Sequence, residues 1–294
     1  MTETSTPPAI HLGIEYPMTP GVVDRDGVIA YARAVDDPNP SHVAGDVAPP
    51  LYTVSLIFQT WSAANLAMLD EGAIVNRRAG VHAEHDVVFH APLAADTKVQ
   101  WTSTGYCVKP TPAGPINTVY TRVADEDGNL LVEHWWSSLH VGGSIAPHLD
   151  SAGYGPDLAD HTFPEAARAQ PLGSYEFAVA ADQSFRYAGA SGDRSPMHVN
   201  DEAAQRAGFP SKFLQGLCTF AMTSGAVVKL GADGDVARLR RLATRFSSPV
   251  FPHHELGVAL YDAGANDAGN RVVAFEATSN GQTVLKHGLA EIER

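Results

Sequence analysis

Tyr187-Ala188-Gly189-Ala190-Ser191-Gly192-Asp193-Arg194-Ser195-Pro196-Met197-His198-Val199 repeats a pattern found 156 residues earlier as Tyr31-Ala32-Arg33-Ala34-Val35-Asp36-Asp37-Pro38-Asn39-Pro40-Ser41-His42-Val43. Seven of the thirteen positions are identical, among them an Asp and a His at the same separation with a Pro between them. A long-period repeat over chemistry-bearing residues implies two copies of one domain. The length of 294 residues agrees, since domains of roughly 100–200 residues make about two of such a chain.

The order of elements is also duplicated. In each half the Asp…His motif comes first, then a long apolar helix, then several β-rich runs. Leu51 to Leu69 has few charges and apolar residues on nearly every face, the pattern of a core helix buried on most sides. After it, His85 to His90, Thr97 to Val108, Ile116 to Ala124 and Asn129 to Val141 read as strands, with Asp127-Gly128 as a hairpin turn. In the second half Ser211 to Leu230 is the equivalent helix, preceded by a short helix start at Asp201-Glu202-Ala203-Ala204-Gln205. Arg241 to Ser247, Glu255 to Asp262, Arg271 to Ser279 and Thr283 to Ile292 read as its strands. An antiparallel sheet round one long helix, twice over, is an α+β plan. The Gly- and Pro-rich stretch from 142 to 175 is expected to connect a first domain of 10–141 to a second of 176–294.

Composition narrows the function. Hydrophobic residues make up 44% of the chain and charged ones 18%, an ordinary globular balance. The net charge of −13 argues against a nucleic-acid binder, which needs a basic face. The one dense basic stretch is Arg238, Arg240, Arg241 and Arg245, to be read first as a solvated strand face. No apolar run approaches the roughly 20 residues that span a bilayer, and Met1 to Pro8 has neither a basic nor an apolar leader region. Cys107 and Cys218 are too few for a disulfide framework and read as packing residues. A cytoplasmic protein without a membrane partner is the expectation.

Four ordered stretches of the second half resemble the MaoC-like dehydratases and the (R)-specific 2-enoyl-CoA hydratases, called hydratase 2. They are Tyr187 to Val199, Asn200-Asp201-Glu202-Ala203-Ala204, Phe213-Leu214-Gln215-Gly216-Leu217-Cys218-Thr219, and Arg245-Phe246-Ser247-Ser248-Pro249-Val250-Phe251-Pro252. The first half is similar to the N-terminal domain of two-domain members through Tyr31 to His42, Ala48-Pro49-Pro50 and Val81-His82 to Pro92. The resemblance implies a double hot-dog fold that acts as a built-in dimer, with an acyl thioester of CoA, or of a carrier protein, lying between the halves. It further implies that the second half does the chemistry, that the first accommodates the acyl chain, and that no cofactor or metal takes part. A homodimer of double hot dogs is the assembly expected.

Adding water across a double bond conjugated to a thioester needs a group that activates water, a proton source for the α-carbon, and a holder of charge on the carbonyl oxygen. One Asp and one His meet the first two needs if both contact the same water, the carboxylate as acceptor and the neutral imidazole as donor and acceptor. Asp193 and His198 are therefore the catalytic candidates. The intervening Pro196 and turn-forming residues suit a bend that aims both into one pocket. By the family's matching glycine, Gly216 supplies a backbone N–H to the thioester oxygen at the start of the long helix. The plain alternative makes Asp193 a cap and His198 a structural histidine.

Ser195 stands where the family usually has Asn, Gln215 where a His usually precedes the helix glycine, and His253 where a turn normally has Gly. Ser195 and Gln215 are expected to face substrate, and Arg245 to contact a phosphate. Asp37, Asn39 and His42 form a second-site candidate. Against that site, the stretch from Val43 to Pro50 is about ten residues shorter than its counterpart and offers no glycine matching Gly216. His82, Glu84, His85 and His90 are the densest histidine cluster, but no Cys or remote ligand pair completes a zinc set. Trp135, Trp136 and Tyr120 read as sheet packing. The leading function is reversible hydration of trans-2-enoyl-CoA to (R)-3-hydroxyacyl-CoA. A non-catalytic acyl-thioester binder and a hot-dog thioesterase are the alternatives, since a fold hosts several functions.

Overall fold

Strand β3 (Ala79–Phe89) of the first half pairs antiparallel with β9 (Leu239–Phe246) of the second, from Glu84 opposite Arg245 to Val88 opposite Arg241. That pairing fuses two five-stranded sheets into one of ten strands. The first half contributes β1 (Thr19–Val22), β4 (Lys98–Lys109), β5 (Ile116–Asp125) and β6 (Leu130–Val141). The second contributes β8 (Pro171–Ala178), β10 (Glu255–Ala265), β11 (Arg271–Ser279) and β12 (Gln282–Ile292). The spatial order is β1-β4-β5-β6-β3-β9-β12-β11-β10-β8, which reads the same from either edge once each strand is matched to its counterpart. A small ribbon of β2 (Ile74–Val75) and β7 (Ser144–Ile145) stands apart. This computed structural model describes residues 7–294; Met1 to Thr6, part of the stretch examined for a leader, lies outside the described residues.

The helices complete a double hot dog. In the first half they are α1 (Arg25–Ala34), α2 (Pro40–Val43) and α3 (Thr53–Ala67). In the second they are α4 (Gln183–Ser191), α5 (Pro196–Val199), α6 (Asp201–Arg206) and α7 (Gly216–Gly231). Helices α1 and α4 pack on each other, and the repeated tyrosines meet between them. Tyr31 and Tyr187 are fully buried, with hydroxyls 3.4 Å apart and rings at 5.7 Å. The sequence repeat is thus also a contact across the axis relating the halves.

Two expectations about the long helices need correction. Helix α7 starts at Gly216, five residues after Ser211, because Gln215 is extended (ψ 138°) and the backbone before it bonds elsewhere, Leu214 N–H donating to the Val250 carbonyl at 2.8 Å. Helix α3 is not buried on most sides. It buries Thr53, Val54, Ile57 and Ala64, while Gln59, Ala63, Leu66 and Ala67 are exposed. Helix α7, by contrast, is enclosed over almost its whole length, because the turn of the first motif lies on it. Asn39 Nδ2 donates to the Gly225 carbonyl at 3.1 Å, and a Cβ at Gly225 would sit 2.9 Å from Pro38 Cδ.

The four strands expected in each half are present, and Gly128 (φ 88°) makes the expected turn between β5 and β6. The edge strands β1 and β8 and the two-residue ribbon, not expected from the sequence, complete the sheets. β8 begins at Pro171, inside the stretch read as a connection, and a short 3-10 helix at Glu165–Ala169 precedes it. The connection is strapped over the seam. His161 Nδ1 donates to the His287 carbonyl at 2.7 Å, and Phe163 packs with Ala167 and Ala274.

Beneath that strap, charge pairs join the halves. Arg241 grips Asp86 through Nε (3.0 Å to Oδ1) and Nη2 (2.7 Å to Oδ2), and Arg245 Nε donates to Glu84 Oε2 at 2.6 Å. Burial opposes charge on His161, but Glu84 facing its Nε2 at 3.1 Å outweighs this and raises its pKa. The Asp86–Arg241 pair is shielded enough that losing one partner strands a buried charge, which typically costs 3–5 kcal/mol. Denaturant titration is therefore expected to find Asp86→Leu less stable by about 3 kcal/mol. Asp86→Leu with Arg241→Met is expected to recover most of that loss, and a double variant no better than the single would break the account of the seam.

Candidate active site

The two copies of the motif fold into the same turn and differ in what the carboxylate and imidazole do. In the first copy His42 Nδ1 bonds Asp37 Oδ2 directly at 2.9 Å, and both side chains are withdrawn from solvent. Asp37 Oδ1 accepts from Asn39 N–H and Asn39 Nδ2, each at 2.8 Å. With Asn39 also tied to Gly225, the network leaves His42 Nε2 as a buried atom without a partner, out of reach of solvent. Thr53, at the start of α3, is fully buried with Oγ1 2.8 Å from His134 Nε2, and His134 Nδ1 lies 3.0 Å from His85 Nε2. The place where the second half has Gly216 is thus filled in the first half by a side chain engaged with that histidine pair.

In the second copy Asp193 and His198 are only partly buried and are not bonded to each other. Asp193 Oδ1 accepts from Ser195 N–H at 3.1 Å and Ser195 Oγ at 2.6 Å; among the described residues Oδ2 has no partner. His198 Nδ1 lies 3.0 Å from the Phe213 carbonyl, which only accepts, so Nδ1 carries the proton and Nε2 presents a lone pair. Burial lowers the His198 pKa, partly offset by the nearby Asp193 charge and by the bond to Phe213. The imidazole is therefore neutral near pH 7. The second copy offers two unspent acceptors on neighbouring side chains, reachable by solvent.

Ser195 and Gln215, expected to face substrate, both work on Asp193. Ser195 repeats the two donations that Asn39 makes to Asp37, from its own N–H and its side chain. It lacks only the reach to a second helix. Gln215 is almost fully buried, and its Nε2 donates to the Ser184 and Asp193 carbonyls, each at 3.1 Å, which ties the turn of the second motif to α4. Gly216 opens α7, where a first-turn N–H has no intrahelical partner, and a Cβ there would lie 3.2 Å from the Phe246 ring. The close approach that glycine allows is that of Phe246.

Arg245, expected to meet a phosphate, is engaged with Glu84. The other guanidiniums of the basic stretch are also paired: Arg238 with Asp233, Arg240 with Glu293, Arg241 with Asp86. Of the histidine cluster, His82 and His85 stay adjacent with ring centroids 5.3 Å apart, His82 packed on Phe246 and His85 bonded to His134, while His90 is bonded to Glu133. Among the described residues no group of three or more His, Cys, Asp or Glu is placed to hold a metal ion. Cys107 and Cys218 are buried and free. Among the described residues no helix is long and apolar enough to cross a membrane. His253 takes φ 68°, the left-handed conformation that its glycine counterpart adopts freely, with its N–H bonded to the Val179 carbonyl at 2.8 Å.

The family model of the MaoC like domain matches residues 163–283. The chain is 27% identical over 256 residues to the 3-hydroxyacyl-thioester dehydratase Y of Mycobacterium tuberculosis, covering 85% of this chain and 83% of that protein. It is 32% identical over 154 residues to the peroxisomal multifunctional enzyme type 2 of Drosophila melanogaster, covering 52% of this chain but only 25% of that longer protein. Among solved structures, a MaoC-like dehydratase from Phytophthora capsici superposes with a TM-score of 0.78 at 22% identity over 95% of this chain and 96% of that one.

The bonds at Ser195 make a specific demand. Removing one donor from the carboxylate frees Asp193 to rotate, so Ser195→Ala is expected to lower kcat about tenfold, the worth of one charged hydrogen bond. Ser195→Asn, which supplies the donor found in the first copy, is expected to stay within about threefold of the parent on the same scale. A Ser195→Ala enzyme with unchanged kcat would mean that the hydroxyl does not position the carboxylate.

Proposed function

We propose that this chain, whose second half is a MaoC-like domain, is a hydro-lyase that reversibly adds water to a trans-2-enoyl-CoA thioester to give the (R)-3-hydroxyacyl-CoA. The observation that carries the reading is the contrast between the copies, in which Asp193 Oδ2 and His198 Nε2 are free on partly exposed side chains while Asp37 and His42 are bonded to each other and withdrawn from solvent. A water between these two acceptors donates one hydrogen to each. Its oxygen is thereby aimed at the β-carbon, one proton passes to the pair, and the pair returns a proton to the α-carbon on the same face. The electron pair of the double bond moves onto the thioester oxygen as the C–O bond forms. Gly216 N–H meets that oxygen, where the dipole of α7 favours negative charge.

The first half takes the acyl chain in this reading, supported by the closed state of its own motif. We place the protein in the cytoplasm on its two free, buried cysteines and acidic composition. We expect a homodimer, supported by the large apolar side chains of Ile14, Met18 and Leu66 left exposed on the first half, Leu66 by 74%.

Loss of enoyl-thioester absorbance over a panel of 2-enoyl-CoA substrates tests the assignment. Asp193→Asn is expected to lose at least about a thousandfold in kcat, as general acid–base groups contribute roughly 100- to 10,000-fold. Asp37→Asn is expected to keep its turnover per folded molecule, and an Asp193→Asn enzyme with parent activity would remove the proposal. The pH profile gives a separate check. Because the His198 pKa is lowered in the fold and its neutral form is the base, kcat/KM is expected to stay level down through about pH 6.5, the ordinary histidine value. It should fall only as the pH drops through the lower value of the folded state. An acid limb centred above pH 6.5 would contradict the neutral-base role.

A further inference from the structure

Around Trp136, on the first-half side of Gly216, three of the described ring nitrogens are buried without a hydrogen-bond partner: Trp61 Nε1, His82 Nε2 and His85 Nδ1. They belong to one contiguous group around Trp136. The Trp61 indole stacks on that of Trp136 with centroids 3.8 Å apart, His82 lies 5.0 Å from Trp136, and His85 lies 5.2 Å from Trp136 and 5.3 Å from His82. The group reaches the site through His82, since a Cβ at Gly216 would come 3.8 Å from His82 Nδ1. Phe246 lies over both Gly216 and His82, and Phe58 borders the two tryptophans at the far end.

A buried polar atom without a partner costs desolvation energy that nothing in the free protein returns, and such an atom calls for an explanation. Three lie along one aromatic surface that begins beside Gly216, where, in the reading given above, the acyl chain would pass from the thioester into the first half. Their chemistry selects what the chain carries. The indole N–H only donates, and a neutral imidazole offers one donor and one acceptor. Burial keeps both imidazoles uncharged, driving the pKa of His82 down to about 3 and that of His85 well below the usual value. The cations across the seam, Arg241 and Arg245, are committed to Asp86 and Glu84. A carboxylate arriving here would lose its water and meet no free positive charge. A hydroxyl or carbonyl oxygen loses far less and finds the indole donor beside imidazole nitrogens, while the aromatic rings suit an apolar frame on either side.

We propose that the first half selects acyl thioesters whose chain bears an uncharged oxygen, a hydroxyl or a ketone, received by Trp61, His82 and His85. This rests on the acyl-thioester reading of the Asp193 site and names the chain that site is built to accept. The test is calorimetric binding of octanoyl-CoA against octanoyl-CoA bearing one hydroxyl or oxo group at each carbon beyond the reacting pair, for the parent and for Trp61→Phe. The phenylalanine keeps an aromatic ring against Trp136 and removes only the N–H donor. At least one oxygenated thioester is expected to bind about tenfold more tightly than octanoyl-CoA, the worth of one neutral hydrogen bond. Trp61→Phe should erase that preference while leaving octanoyl-CoA affinity within about twofold of the parent. Octanoyl-CoA bound as tightly as every oxygenated analogue, or a preference that survives Trp61→Phe, overturns the inference. Because binding needs no turnover, preferential binding without hydration of any enoyl thioester would count against the hydratase reading alone. No binding of any thioester would overturn both.

Discussion

The backbone ladder between β3 and β9 is the constraint on which the rest of the molecule depends. Neither half closes its sheet without the other, because each would expose β3 or β9 as an unpaired edge, the kind of surface that otherwise recruits another chain. The ladder fixes the axis relating the halves. The axis brings α1 onto α4, sets Tyr31 against Tyr187, and lays the turn of the first motif on α7 at Gly225. It also sets Glu84 and Asp86 within reach of Arg245 and Arg241, so that the seam of backbone hydrogen bonds is backed by buried charge pairs on the face covered by the connection.

From that symmetry the two motifs part in one respect. In the first, the Asp–His bond and the Asn39 contact to α7 make a network withdrawn from solvent, in which His42 Nε2 is buried without a partner and unreachable by a substrate. In the second, the imidazole turns its Nδ1–H to the Phe213 carbonyl instead of to the carboxylate, and both side chains keep a free acceptor. Serine in place of asparagine fits this division. Ser195 preserves the two bonds that orient the carboxylate and gives up the bridge to a neighbouring helix, which only the closed copy makes. In the proposed function one half is the buttress and the other the reaction site, on the same turn geometry.

The sequence made the duplication legible because its signal is carried by residues that fold into the same turn: Tyr at the axis, Asp and Pro in the bend, His after it. The main strands were legible from alternation, and the β5–β6 turn from Asp127-Gly128. What stayed hidden was decided by contacts distant in the chain. The start of α7 is set by Val250 holding Leu214 extended, the exposure of α3 by the absence of a covering turn like the one on α7, and the edge strands by pairing alone. At the candidate site the motif pointed to Asp193, His198 and Gly216; the structure sets Asp193 near His198 and packs Gly216 against Phe246 and His82. The duties of Ser195, Gln215 and Arg245 were not legible, because a polar residue beside a site looks the same in sequence whether it faces a ligand or holds a neighbour. His82, His85 and Trp61 gave their only signal as a histidine-rich strand and an aromatic in an apolar helix, and their shared surface arises from the seam.

A crystal structure of the protein with a (3R)-hydroxyacyl-CoA bound tests the division of labour most directly. The account predicts the 3-hydroxyl oxygen within hydrogen-bond distance of both Asp193 Oδ2 and His198 Nε2, the thioester oxygen on Gly216 N–H, and the Asp37–His42 bond intact. A ligand seated at Asp37 and His42, or one whose 3-hydroxyl touches neither Asp193 nor His198, would contradict it.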